Sequence, residues 1–294
     1  MPPQPITTNQ PQRPKTSLAM TIALFGVALA TLIISSFFTS TKASAAEIAE
    51  QFMRSDASSK QIVDHKILDQ LLENYIETDA EGLNRVNYKA LKAKQSHLQT
   101  YLKQLQAIKV TDLNKSEQFA FWANLYNAVT LEVVLTAYPV KSIRDIDISP
   151  GLFSNGPWGK KMVRVEGHEL SLDDIEHKIL RVLYKDPRVH YAVNCASIGC
   201  PNLQKQAFTG AKLHNQLEAA AISYVNSSRG VNLVNGRVEL SKIYSWFQKD
   251  FGKDEKAILD HVRGYAKPAL KAKLQQATSV WRYSYDWSLN DTAN

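Results

Sequence analysis

Glu117-Gln-Phe-Ala-Phe-Trp-Ala-Asn-Leu-Tyr-Asn-Ala-Val-Thr-Leu-Glu-Val-Val-Leu-Thr-Ala-Tyr138 is the clearest helical pattern in the chain. Ser116 precedes it as a good N-cap, Glu117 puts a carboxylate in the first turn, and Pro139 ends it. Apolar residues occur all round this helix rather than on one stripe, which is the signature of a buried central element. The fold is therefore expected to form around it. Asn124 and Asn127, three apart, share one of its faces, and a buried amide without partners costs ~1–3 kcal/mol. Two readings stand: both amides tie loops to the core, or one of them orients a catalytic imidazole as in Cys-His-Asn sites.

Outward from this helix the pattern is mixed. Helical periodicity begins near Ile62 with Ile67, Leu68, Leu71 and Leu72, and continues over Tyr88 to Leu105 and from about Thr209 to Asn226. Lys161–Glu166 and Glu169-Leu170 around Gly167-His168 read as a short hairpin, as do Val231–Val234 and Arg237–Leu240 around Asn235-Gly236. Arg188 to Asn194 alternates like a strand. Helices mixed with hairpins, and no βαβ alternation, predict an α+β class: one compact domain over residues 61–290 with short, largely hairpin-forming strands.

The N-terminal part has a different task. Arg13 and Lys15 precede an apolar run from Leu18 to Phe38, and Ala43-Ser44-Ala45 is a pattern that signal peptidase accepts, so residues 1–45 are expected to be a signal peptide or signal anchor. The run is close to the ~20 residues that span a bilayer, which keeps anchoring at residues 18–38 open beside cleavage after Ala45. Either way the domain is expected on the periplasmic or extracellular side, with residues 46–60 as a solvated tether. The net charge is +7, and the part after Ala45 carries +4, from 32 basic and 28 acidic residues. That mild, dispersed balance argues against nucleic acid, and it leaves the membrane only the N-terminal segment to hold. The expected partner is an envelope component whose identity the sequence does not give.

Both cysteines lie in His190-Tyr-Ala-Val-Asn-Cys195-Ala-Ser-Ile-Gly-Cys200-Pro201. In an oxidising compartment a Cys195–Cys200 disulfide is chemically permissible. His190 and Cys195 would be ~16 Å apart along an extended strand, too far for direct activation unless the chain bends. Upstream, Ser171 with Asp174 starts a helix whose stripe is Leu172, Ile175, Ile179, Val182 and Leu183. Glu176 falls inside that stripe, and His177 outside. A carboxylate there needs a partner or a task, so either an ion pair with Arg188 or another arginine, or a catalytic role, is expected. No phosphate loop, dinucleotide fingerprint, His-Glu-x-x-His or Gly-x-Ser-x-Gly is present, and no cofactor is implied. A metal site from His190, Cys195 and Cys200 matches no standard ligand spacing.

Six blocks carry a resemblance: Val86–Leu91, Phe121–Asn127, Leu170–His177 with Leu180-Arg181, Arg188–Cys195, Cys200-Pro201 and Tyr285-Asp-Trp-Ser-Leu-Asn290. In this order, from about residue 80 to 290, the chain resembles the domain of unknown function 547 family. The resemblance implies an exported bacterial α+β domain and no settled activity. It marks Asn124, Glu176, His177, Arg181, His190 and Cys195 as shared positions. Serine takes the place of Cys200 in related plant sequences, which favours Cys195 acting alone over an obligate disulfide. Three functions follow. The first is a thiol-dependent hydrolase or acyl/peptidyl transferase with Cys195 as nucleophile, His177 or His190 as base and Glu176 or Asn124 orienting it, supported by Asn127, Arg181 and Cys200. The second is a binding or scaffold domain whose polar network is structural. The third is a dithiol redox protein using Cys195 and Cys200.

Overall fold

The central helix spans Lys115–Ala137, and eighteen of its twenty-three residues are buried. Its N-cap is Asn114, two residues before the expected Ser116: the Asn114 side chain accepts from the Glu117 backbone N–H at 3.1 Å. The computed structural model describes residues 45–151 and 155–293, so the run 18–38 and the expected export segment up to residue 44 lie outside the described residues. Phe119, Phe121, Trp122 and Tyr126 are each at most 2% exposed, and full burial of such side chains contributes roughly 1.5–3 kcal/mol apiece. Gln95–Gln106 packs on this helix, Lys66–Tyr75 packs on Gln95–Gln106 in turn, and Ala45–Met53 packs on residues 174–180 and reaches the central helix through Phe52.

The last of these corrects the tether. Ile48 and Phe52 lie four apart, on one face of a helix, and both are buried in the core; the Phe52 ring meets Trp122 edge-on at 4.8 Å. Two anchors at helical spacing suffice to dock a nine-residue helix whose remaining residues are mostly exposed. Only the stretch after Met53 is irregular and solvated.

The strands form three small sheets, as an α+β domain requires. Val163–Val165 pairs antiparallel with His168–Leu170, and Val231–Val234 with Arg237–Ser241. Asn235 and Gly236 both take positive φ (51° and 78°), the geometry of a two-residue hairpin turn of type I′. A further hairpin, Ile76–Thr78 with Asn84–Val86, was not anticipated, nor was the parallel pairing of Arg282–Ser284 with Arg237–Ser241.

Two apolar clusters result, one about the central helix and one built from Leu213–Val225, Val231–Ser241 and Glu255–Tyr265. They meet at residues 189–192. Here the expected strand is instead a helical turn, Val189–Ala192. The Asp186 side chain accepts from Arg188 N at 2.9 Å, and Val189 N and His190 N bond back to the carbonyls of Asp186 and Pro187. Pro187, just before the N-cap Arg188, is the second residue of the Asp186–Val189 turn, where its preset φ fits. Four residues buried on every side look alternating without being a strand. Val189 and Ala192 enter the first cluster and Tyr191 the second.

Candidate functional site

Ser171 caps the helix that follows it: Ser171 N donates to Asp174 Oδ2 at 2.8 Å, and Asp174 N donates back to Ser171 Oγ. Burial opposes ionisation of Asp174, but hydrogen bonds from Lys161, Lys178 and Ser171 outweigh it and hold the carboxyl well below the usual range. From Asp174 to Leu180 the chain then winds as a π-helix, a rare form that recurs at functional sites. Its wide turn brings Glu176 and His177 to the same cavity that Asp173 lines, although α-helical spacing predicts His177 off the stripe.

That cavity, about 410 Å³, is lined by two kinds of group. One is polar: Asp173, Glu176, His177 and His190. The other combines the Cys195–Cys200 bond with indole and phenol rings from Trp158, Trp246, Trp287 and Tyr285. These rings pack on one another, Tyr285 on Trp287 at 4.7 Å and Trp246 on Tyr285 at 4.9 Å.

Glu176 is 8% exposed and its carboxylate hydrogen-bonds the Tyr126 hydroxyl. Burial, and then the Glu176 charge, push the Tyr126 phenol well above its ordinary value. Oε1 of Glu176 lies 3.8 Å from His177 Nδ1 and 3.9 Å from His190 Nδ1, close but beyond hydrogen-bonding distance. Arg188, a predicted partner, bonds Asp186 and Glu218 instead. His177 Nδ1 accepts from Arg181 Nη1 at 3.2 Å, so it presents no hydrogen to Glu176. The Asp173 carboxyl is raised by burial and by the Glu176 charge, against the opposing effect of His177.

His190 is 2% exposed, stacked on Phe247 at 4.2 Å, and its Nε2 lies 2.7 Å from Asp250 Oδ2. Arg181 forks onto the same carboxylate through Nε (2.5 Å) and Nη2 (3.2 Å). Burial opposes the Asp250 charge, yet the His190 and Arg181 hydrogen bonds outweigh it and hold the carboxyl far below its ordinary value. Asp250 is the site residue that sequence reasoning missed. It sits in an aromatic-rich segment with no motif around it.

The two asparagines have different fates. Asn127 holds the approach to the cysteines: Nδ2 donates to Ala192 O at 2.9 Å and Oδ1 accepts from Asn194 N at 2.8 Å. Asn124 does not line the cavity. It clasps the Phe208 backbone from both sides and donates to Nε2 of His65 at 3.1 Å, a histidine outside the predicted set. Asn124 therefore does orient an imidazole, but not one near Cys195.

Cys195 and Cys200 are joined by a disulfide, which corrects the reading of Cys195 as a sulfur acting alone. The helical turn replaces the ~16 Å extended path and brings His190 and Cys195 to one cavity. No imidazole is hydrogen-bonded to the Cys195 sulfur among the described residues. Its polar neighbours are Tyr285 Oη at 3.0 Å and Ser197 Oγ at 3.2 Å, which are also hydrogen-bonded to each other at 2.9 Å, and a disulfide sulfur has no proton, so it can only accept from this pair. The Cys195 N–H donates to Cys200 Sγ at 2.9 Å. The loop is fixed by Asn194 Nδ2 to Pro201 O at 2.7 Å and by the Tyr285–Asn290 segment, which accepts from Ile198 N and Gly199 N. Gly199 is required there: a Cβ would come within 2.9 Å of the Asp286 backbone.

An α+β domain with a disulfide set in the wall of an aromatic cleft is thus the class that fold and site define. Residues 110–225 match the family model described as "Protein of unknown function, DUF547". The match contains the central helix, the π-helix and both cysteines, and stops short of Asp250 and Tyr285. No curated protein and no solved structure matched the chain.

Proposed function

We propose that the cavity is a thiol–disulfide exchange site of an exported domain, with the Cys195–Cys200 bond as its reacting group. One observation carries the reading: the bond lines a ligand-sized cavity and each sulfur faces a hydrogen-bond donor. Cys195 is half-buried and Cys200 is 4% exposed, so Cys195 is the sulfur a substrate thiolate reaches. Attack at Cys195 Sγ breaks the S–S bond, and its electron pair stays on Cys200 Sγ, where the Cys195 N–H meets the charge. Glu176 takes the proton of the substrate thiol. A second thiolate of the same substrate then attacks the substrate sulfur of the mixed disulfide. Cys195 leaves as a thiolate facing Tyr285 and Ser197. The substrate ends with a disulfide and the chain with two thiols.

Donors on both sulfurs stabilise the reduced form, which makes a disulfide oxidising. Equilibration in glutathione buffers, alkylation and mass spectrometry should place the midpoint above about −300 mV, the upper end for structural disulfides. Stoichiometric oxidation of a reduced dithiol peptide should accompany it and be absent from Cys200→Ser. A pair that stays oxidised under those buffers refutes the proposal. The hydrolase and transferase readings need an imidazole at the thiol and find less support in this geometry. Export belongs to the same proposal, since an oxidising compartment keeps the bond formed. Mass spectrometry of the processed chain should start at Ala46, and recovery in the cytosol would count against it.

A further inference from the structure

The cavity carries charge that its own lining does not balance. Asp173 and Glu176 face it, and no lysine or arginine does among the described residues. The nearest bases to these carboxylates are imidazoles: His177 at 3.7 Å from Asp173 and 3.8 Å from Glu176, and His190 at 3.9 Å from Glu176. Arg181 is spent on Asp250, and Lys161 and Lys178 on Asp174. Trp246, Trp287, Trp158 and Tyr285 also line it, and ring faces of this kind attract an organic cation. Two of the lining rings already meet cations: Arg144 lies 5.3 Å from the Trp287 centroid and Arg181 4.7 Å from that of Phe247. A volume of about 410 Å³ suits a small molecule or one substituted side chain.

We infer that this cavity binds a small organic cation, an alkylated ammonium group held between the Trp246–Trp287–Tyr285 rings and the Asp173 and Glu176 carboxylates. A neutral sugar would stack on the same indoles but would leave two carboxylates uncompensated in a partly desolvated cleft, so charge decides between the two. Exchange chemistry is not required for this inference. Under the function proposed above, the cation would be the part of the thiol substrate that the cleft grips.

Binding is measured on the oxidised full chain with no thiol present, so disulfide reactivity does not enter the result. The probes are choline, its neutral isostere 3,3-dimethylbutan-1-ol, and methyl β-glucoside, followed by indole fluorescence and calorimetry. Choline should bind at millimolar concentration or better and at least about tenfold more tightly than the isostere. Glu176→Gln should weaken choline by a similar factor. Trp246→Leu, at a side chain 46% exposed and so not needed for folding, should weaken it too. Equal binding of choline and the isostere, binding of the glucoside alone, or no binding of choline each overturns the inference.

Discussion

Acidification should act on the fold through the buried His65. His65 is 4% exposed, donates from Nδ1 to the Tyr101 hydroxyl at 2.6 Å, and accepts at Nε2 from the Asn124 amide. The Asn124 amide can only donate there, so the fold needs the neutral imidazole. Burial lowers the His65 pKa from 6.5 to about 4, against a smaller opposing effect of Asp64. Between those values the unfolded chain binds a proton that the folded chain refuses, so stability is complete above about pH 6.5 and falls as pH drops. By linkage the loss from about pH 7 to pH 5 is roughly 2 kcal/mol for this group alone. Urea denaturation at the two pH values measures it. Other groups titrate in the same range, His261 among them, whose pKa burial also lowers to about 4. His65→Gln provides the control, because it keeps an acceptor for Asn124 and removes the titration. The wild type should lose about 2 kcal/mol more than the variant over the interval. Equal losses would refute the reasoning.

Asn127→Ala leaves the Ala192 carbonyl and the Asn194 N–H without their buried partner, which should cost roughly 2–4 kcal/mol in urea unfolding and speed reduction of the disulfide loop. Asp250→Asn weakens charged hydrogen bonds from His190 and Arg181 and should cost about 2 kcal/mol at neutral pH. Because the Asp250 pKa is depressed, its stabilisation exists above the ordinary carboxylate value and is lost as pH falls below it. The acid limb of the wild-type stability curve should therefore be steeper than the variant's. Replacing both cysteines by serine should cost about 2 kcal/mol or less by thermal denaturation, since a bridge spanning five residues constrains the unfolded chain little. The other ties of that loop should hold it in place.

The parts of the fold written locally were legible. A helix apolar all round is buried all round, and Asn235-Gly236 takes the turn that only such residues accept readily. Ala45–Met53 was misread because its two buried anchors sit in an otherwise polar stretch. Residues 189–192 were misread because four positions cannot separate a period of 2 from one of 3.6 when every side is buried. At the site, Glu176, His190 and the cysteines could be singled out as chemistry in apolar surroundings. Their real partners could not: Asp250 is 60 residues from His190 and Tyr285 is 90 from Cys195, separations that no spacing rule spans. The imidazole that Asn124 meets is not one of those expected: nothing near it in sequence points to His65, 59 residues away.

The π-helix makes this region sensitive to length rather than to composition. An α-helix turns about 100° per residue, and a π stretch accommodates its residues in wider turns. Deleting one residue between Asp174 and Leu180 would let the segment relax to an ordinary helix without breaking a single cap. The side chains beyond the deletion would keep nearly their bearing, but within it Glu176 and His177 would lose the wide turn that brings both to the cavity. Exposed positions such as Val182 can vary in side chain at little cost. The number of residues between Ser171 and Arg181 cannot. A homologue that keeps all the named residues but has one fewer in this interval would have the ingredients of the cleft without its geometry.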